Sequence, residues 1–367
     1  MTVRKAFKKR VREQIEVTGQ SYAQAAEQLE RSNPALATPK TPGVQPDPHP
    51  ASAVVVRLLK EAGLNLDPVT AFGVGGGIGF MYALFQYKEV PAPLLTLVCQ
   101  HHPEPWATAI LSRLEVAHTT ATNKRDTQKL LDAGQAVMLP LARGSVPWAK
   151  QIKFAEREEI IVVATSASED NAHQDLLVFD GRSEHRMSRT ELLEAYAVSP
   201  RKHPTLAISE GAVLPADLSG AINEGLAATV GAMTGPVLGN SFDVNFGLSG
   251  LSKWSEKVLA TTKDGWNKAY GSDESWRSRL QECIDQEHTA RSAGRPLFAQ
   301  LLTTQGLTTA AAHFERSGRL WRGVADRAAT LSYEELAEIV SQIAAEETQG
   351  VSALANDDGF QTPASLH

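Results

Sequence analysis

The sequence predicts an α+β fold with three parts: a strand-containing domain over 49–210, a mainly helical domain over 211–349, and a helical arm ahead of both. Short β-rich runs bounded by polar turns occur only before residue 210, and helical periodicity dominates after it. A proline-dense stretch from Asn33 to Pro50 sets the first part of the chain apart. The 367 residues are 42% hydrophobic and 21% charged, which suits a globular chain of one or two domains. Only two cysteines occur, Cys99 and Cys283, so a disulfide framework and a zinc site of paired Cys-x-x-Cys motifs are both excluded.

Residues 1–32 form a basic helical arm in this reading. Val3, Phe7, Val11 and Ile15 fall on one helical stripe, and the segment breaks near Gly19 before resuming at Tyr22 with Ser21 as N-cap. Arg4, Lys5, Lys8, Lys9, Arg10 and Arg12 carry six positive charges ahead of a body that is strongly acidic, since the whole chain is −6. Such an arm suits weak, salt-sensitive nucleic-acid binding, or docking onto an acidic body in cis or in a homodimer. Residues 33–48 are the proline-rich linker, because proline at that density favours an extended tether. No run of 18 apolar residues and no signal-peptide core follow the arm, so a cytoplasmic location without membrane insertion is expected.

The strand-containing part begins with a buried helix over 51–62 that ends at Gly63. Strands are expected at Leu94–Val98, Ala136–Leu141, Ile160–Thr165, Leu176–Phe179 and Thr205–Ser209, with helices at Glu104–Leu114 and Ser188–Tyr196. Helical patterns then follow at about 216–231, 250–262, 273–289, 296–303, 306–329 and 332–348. The polar, unpatterned residues 350–367 read as a flexible tail.

Candidate chemistry is sparse. In Phe72-Gly73-Val74-Gly75-Gly76-Gly77-Ile78-Gly79-Phe80 no start position places glycine at offsets 0, 2 and 5, so the dinucleotide fingerprint is absent. The segment reads as a tight bend where backbones pack closely, with a ligand-lining role for Gly73, Gly75, Gly76, Gly77 and Gly79 as the functional alternative. His101 and His102 are adjacent, Asp47 and His49 flank a proline, and His173 lies in a polar loop. None makes a metal-ligand spacing, and no metal or cofactor is implied. Cys99 and Cys283 have the contexts of small buried hydrophobes.

From His49 onward the sequence resembles the family named after butirosin biosynthesis protein H. The residues that carry the resemblance are His49-Pro50-Ala51-Ser52-Ala53, Leu58 to Gly63, the glycine-rich segment 72–80, Leu131-Asp132-Ala133-Gly134-Gln135-Ala136-Val137, Arg295-Pro296-Leu297-Phe298, and Ala310 to Trp321. The arm itself resembles a short N-terminal segment of many actinobacterial proteins. The family resemblance implies a papain-like domain followed by a helical domain, and acyl transfer from a carrier-protein thioester to an amine. It also implies a cysteine thiolate at a helix N-terminus and a histidine on a following strand. Here Pro50 stands in place of that cysteine, and Glu158-Glu159 in place of that histidine, while Asp180 matches the aspartate after a strand.

The expectation is therefore a noncatalytic or redirected relative, binding a small-molecule or carrier-bound acyl, amino or peptide-like ligand or a protein partner. The enzymatic alternative is an acyltransferase or amide hydrolase using Ser52 as nucleophile, His49 as base and Asp180 to orient it. Against it, Ser52 suits a helix cap and Asp180 a turn.

Overall fold

Two helices led by proline begin the described chain. In the computed structural model the described residues are 49–88, 92–149, 158–167, 175–200, 202–287 and 289–357. The arm (1–32), the linker (33–48), Asp47, His173 and residues 358–367 lie outside them. Helix α1, Pro50–Glu61, has proline in its first turn, where the missing N–H costs no hydrogen bond, and buries Val54, Val55, Leu58 and Leu59. Helix α2, Pro68–Val74, starts the same way, with Asp67 accepting from the Thr70 N–H.

Strands β1 (Ile78–Phe85) and β2 (Leu94–Gln100) pair as an antiparallel ribbon. After helix α3 (Trp106–Arg113), strand β3 (His118–Ala121) and helix α4 (Lys124–Asp132) come the central strands β4 (Val137–Ala142) and β5 (Glu159–Ser166). Strands β6 (Asp175–Phe179) and β7 (Glu184–Ser188) form a hairpin, followed by helix α5 (Arg189–Ala197) and strand β8 (Thr205–Ile208). Strands β3 to β8 make one six-stranded antiparallel sheet in the order β3-β8-β4-β5-β6-β7. Every residue of β4 is buried because helices cover both faces of the sheet. Val137, Leu139 and Leu141 join Val162, Val178, Leu192 and Tyr196 in a core on the α5 side. The alternate residue Met138, with Val163 and Leu206, joins the core that contains α1.

Beyond β8 the described chain is helical, as the loss of period-two patterning predicts. The helices are α6 (Ser219–Thr234), α7 (Gly247–Leu259), α8 (Trp266–Tyr270), α9 (Ser275–Asp285), α10 (Arg295–Thr304), α11 (Thr308–Arg327) and α12 (Tyr333–Ala355). The described chain is therefore α+β, with an antiparallel sheet and several helices.

Several expectations need correction. The strand and helix halves do not have separate cores: Val54 and Leu58 of α1, Phe80 and Tyr82 of β1, Trp254, Trp266 and Trp321 belong to one apolar cluster. The position 210/211 marks a change of secondary structure inside one compact unit, Pro46–His367. Strands β3 and β7 escape a hydrophobic pattern because they are the two sheet edges and carry polar residues. Helix α12 continues past 350, where a tail is expected. Gly350 is no stop signal, since a Cβ there would lie 2.9 Å from the Phe314 ring, and Val351 and Leu354 are buried beyond it.

One ion pair ties these layers together. Arg295 and Glu347 are both fully buried, and their side chains pair through Nε–Oε1 and Nη2–Oε2 contacts of 2.8 Å. Arg295 also donates to the carbonyls of Cys99 at 2.7 Å, Ala293 at 2.8 Å and Gly79 at 3.0 Å, which satisfies all five of its N–H donors. Glu347 Oε1 accepts further from Ser317 Oγ at 2.7 Å and Trp321 Nε1 at 2.8 Å. Removing one partner strands a buried charge. Glu347→Gln is expected to lower unfolding stability by about 3–5 kcal/mol in a urea titration. A loss below about 1 kcal/mol would show that the pair is not integral to the core.

Candidate functional site

The start of α1 is where the sequence places its candidate nucleophile and base, and there His49 and Ser52 do meet. His49 has extended backbone and acts as N-cap, with its Nδ1 accepting the Ser52 backbone N–H at 3.2 Å. That nitrogen therefore carries no proton, so the Ser52 hydroxyl, 3.0 Å away, donates to it as well. The ring proton is left on Nε2, which donates to Gln100 Oε1 at 2.5 Å. Trp106 Nε1 completes the set by donating to Ser52 Oγ at 2.9 Å.

These contacts form a chain of nucleophile, base and orienting amide, but the chain is sealed. His49 is 2% exposed and Ser52 1%. The His49 ring packs against Trp106 at 4.5 Å and Phe72 at 5.1 Å between centroids. Trp106 follows Pro105 at the start of α3, and Gln100 ends β2, so the network fastens α1 to both elements. The chemistry available in this arrangement is a helix cap whose polar atoms are satisfied inside an aromatic box.

Asp180 does not orient His49. It sits after β6 in the hairpin turn, where Oδ1 accepts from the Arg182 and Ser183 N–H groups at 2.9 and 2.8 Å. Its Oδ2 pairs with His185 Nε2 at 3.0 Å, and the His185 ring stacks on Trp148 at 3.8 Å. In the β6–β7 register His185 is opposite Val178, whose face of the sheet is the α5 side. The turn nonetheless abuts α1, because a Cβ on Gly181 would lie 2.5 Å from the Pro50 carbonyl oxygen. The backbone has converged on the helix start while the carboxylate serves the hairpin.

The glycine-rich segment is spent on packing, which corrects its assignment as a ligand-lining loop. Residues 72–80 are all buried. Phe72 to Val74 end α2, Gly76 and Gly77 turn the chain with φ of +103° and +58°, and Ile78 starts β1. A Cβ on Gly75 would lie 2.5 Å from Trp106, one on Gly76 2.6 Å from His101, and one on Gly77 2.9 Å from Phe298. Gly73 is backed by Leu301 and Gly79 by the Gln100 carbonyl. Each position faces protein rather than an open cleft.

Elsewhere, burial pushes the Cys99 thiol up to about 12 and raises Cys283 further, so neither carries a thiolate at neutral pH. Glu158, which stands where the resemblance expects histidine, has its carboxyl raised by burial and by the nearby Glu287; Arg143 lies 3.4 Å from it. No group of three His, Cys, Asp or Glu among the described residues is placed to hold a metal. No described helix is long and apolar enough to cross a membrane. Sequence reasoning missed Gln100, Trp106 and His185, whose roles depend on partners far away along the chain; only Pro105 before Trp106 marks a helix start. Comparison with known proteins finds no matching family model and no matching curated protein.

The sealed network predicts a structural role for Ser52. Ser52→Ala leaves the Trp106 N–H without an acceptor and is expected to cost about 1–3 kcal/mol in chemical unfolding. Gly75→Val and Gly77→Val are expected to lower stability by about 1–3 kcal/mol or more through overpacking. Unchanged midpoints in both glycine variants would return the segment to the ligand-lining assignment.

Proposed function

We propose that this chain is a noncatalytic relative of papain-like acyltransferases, a fold that binds a small acyl, amino or peptide-like ligand or holds a protein partner. The observation that carries this reading is the start of α1. Proline occupies the position of the family's thiol, and the nearest hydroxyl, on Ser52, is buried with its oxygen between Trp106 and His49. The architecture is compatible with the resemblance, since α1 packs across β4 and β5 of an antiparallel sheet and the turn at Gly181 meets Pro50. Neither cysteine supplies a replacement nucleophile, because burial holds both as thiols.

A second reading has one observation in its favour. The Ser52 hydroxyl donates to an unprotonated His49 nitrogen, which is the first requirement for hydroxyl activation. In that reading Ser52 carries the acyl group, His49 takes its proton, and Gln100 rather than Asp180 orients the imidazole.

A labelling experiment separates them. The purified full chain is treated with a fluorophosphonate and with an acyl thioester, then digested and mapped by mass spectrometry. The noncatalytic reading expects no adduct on Ser52, and iodoacetamide at pH 8 is expected to modify Cys99 and Cys283 only after denaturation. Labelling of Ser52 that disappears in Ser52→Ala would replace it with the enzymatic reading.

A further inference from the structure

We infer that strand β3 is a self-association edge, through which two copies of this chain pair their six-stranded sheets antiparallel across a two-fold axis at Thr119. The inference concerns the sheet edge and is independent of the function proposed above.

Strand β3 ends the sheet and is bonded to β8 alone. The phase of its ladder is fixed by the Ser209 N–H, which donates to the Ala117 carbonyl at 3.0 Å. Continued along the β3–β8 register, that phase makes Thr119–Ala207 and Ala121–Thr205 the hydrogen-bonded pairs. The main-chain groups of His118 and Thr120 therefore point away from β8, where they meet no partner among the described residues. The faces of the strand are open as well. Thr119 and Thr120 lie on opposite faces, and both are exposed.

Sheet edges are commonly guarded by charge. The other edge follows that rule: β7 carries Glu184 and Arg186, and Glu184 pairs with Arg57 at 3.1 Å. Strand β3 reads His118-Thr119-Thr120-Ala121, with no carboxylate, lysine or arginine, and it follows the β8 register without a bulge. Its two central residues are threonines, a type that suits strands and pairs well across them.

A second copy fits this edge because the register closes on itself. With the axis at Thr119, His118 of each copy stands opposite Thr120 of the other, and these are the residues with outward main-chain groups. The two pairs exchange four N–H···O=C bonds, and Thr119 faces its own counterpart with Cβ atoms about 5 Å apart. The flanking charges agree with that register. It brings Glu115, exposed ahead of β3, toward Lys124, exposed behind it, once on each side of the axis. Pairing through so short a strand makes a weak, reversible dimer.

Sedimentation equilibrium of the full chain tests this, with folding of each variant checked by circular dichroism. A monomer–dimer equilibrium with a dissociation constant of about 10–100 μM is expected. Thr119→Lys, which sets two ammonium groups across the axis, is expected to weaken it at least about 3-fold. Thr120→Pro, which removes an outward N–H from each copy, is expected to weaken it more than about 10-fold. An equimolar mixture of Thr119→Lys and Thr119→Glu is expected to associate more tightly than either variant alone, because the facing charges are then opposite. The inference is overturned if the wild type stays monomeric to about 200 μM, which would leave the edge to another occupant. It is equally overturned if Thr119→Lys dimerises like the wild type, or if the mixture gains nothing over its components. An unfolded Thr120→Pro leaves the decision to the Thr119 variants.

Discussion

The buried pair of Arg295 and Glu347 is the contact on which the other layers depend. Taking two charges out of water is costly, and the cost is met only where every hydrogen-bonding group finds a partner. Arg295 meets it by reaching the carbonyls of Gly79 and Cys99, so the β1–β2 ribbon is held against α10 and α12. Glu347 meets it through Ser317 and Trp321 of α11. The same guanidinium bonds the carbonyl of Ala293, within a turn where Ser292, Ala293 and Gly294 all have positive φ. Two of those residues bear side chains that disfavour this backbone, and a fixed donor helps to hold the turn.

The ribbon also has an exposed-edge problem, which the helical half of the chain resolves. A two-stranded sheet is marginal alone and leaves carbonyls along its outer edge unpaired. Here Arg279 and Cys283 of α9 approach the Leu95 carbonyl, and Arg295 takes that of Cys99. Helices that follow residue 210 therefore complete strands that precede it, and one core spans the change in secondary structure.

The candidate site follows the same logic of satisfied interior polarity. His49 and Ser52 are three residues apart at a helix start, a spacing that serves a cap as readily as a nucleophile and its base. Which role the pair takes depends on what surrounds it. Trp106 and Phe72 close over the imidazole, Gln100 accepts a hydrogen bond from its remaining N–H, and the glycines at 75 and 77 let Trp106 and Phe298 approach the backbone. Asp180, which the sequence also offers, is drawn into its own hairpin because the backbone N–H groups of Arg182 and Ser183, two and three residues on, donate to its carboxylate.

The sequence by itself determined the α+β class, the buried strands β4 to β6, the long helices after residue 210, and the absence of a thiol at the start of α1. These features are local: a period of two or 3.6, a proline in a first turn, a residue identity at one position. The edge strands β3 and β7, the strand hidden behind the glycines, and the continuation of α12 past Gly350 were settled only by tertiary contacts. So were the partners of His49, Ser52, Asp180 and Arg295. The physical reason is separation along the chain. Whether a hydroxyl is sealed, a carboxylate is diverted or a glycine is filled depends on side chains tens to hundreds of residues away, and no local pattern records which of them will arrive.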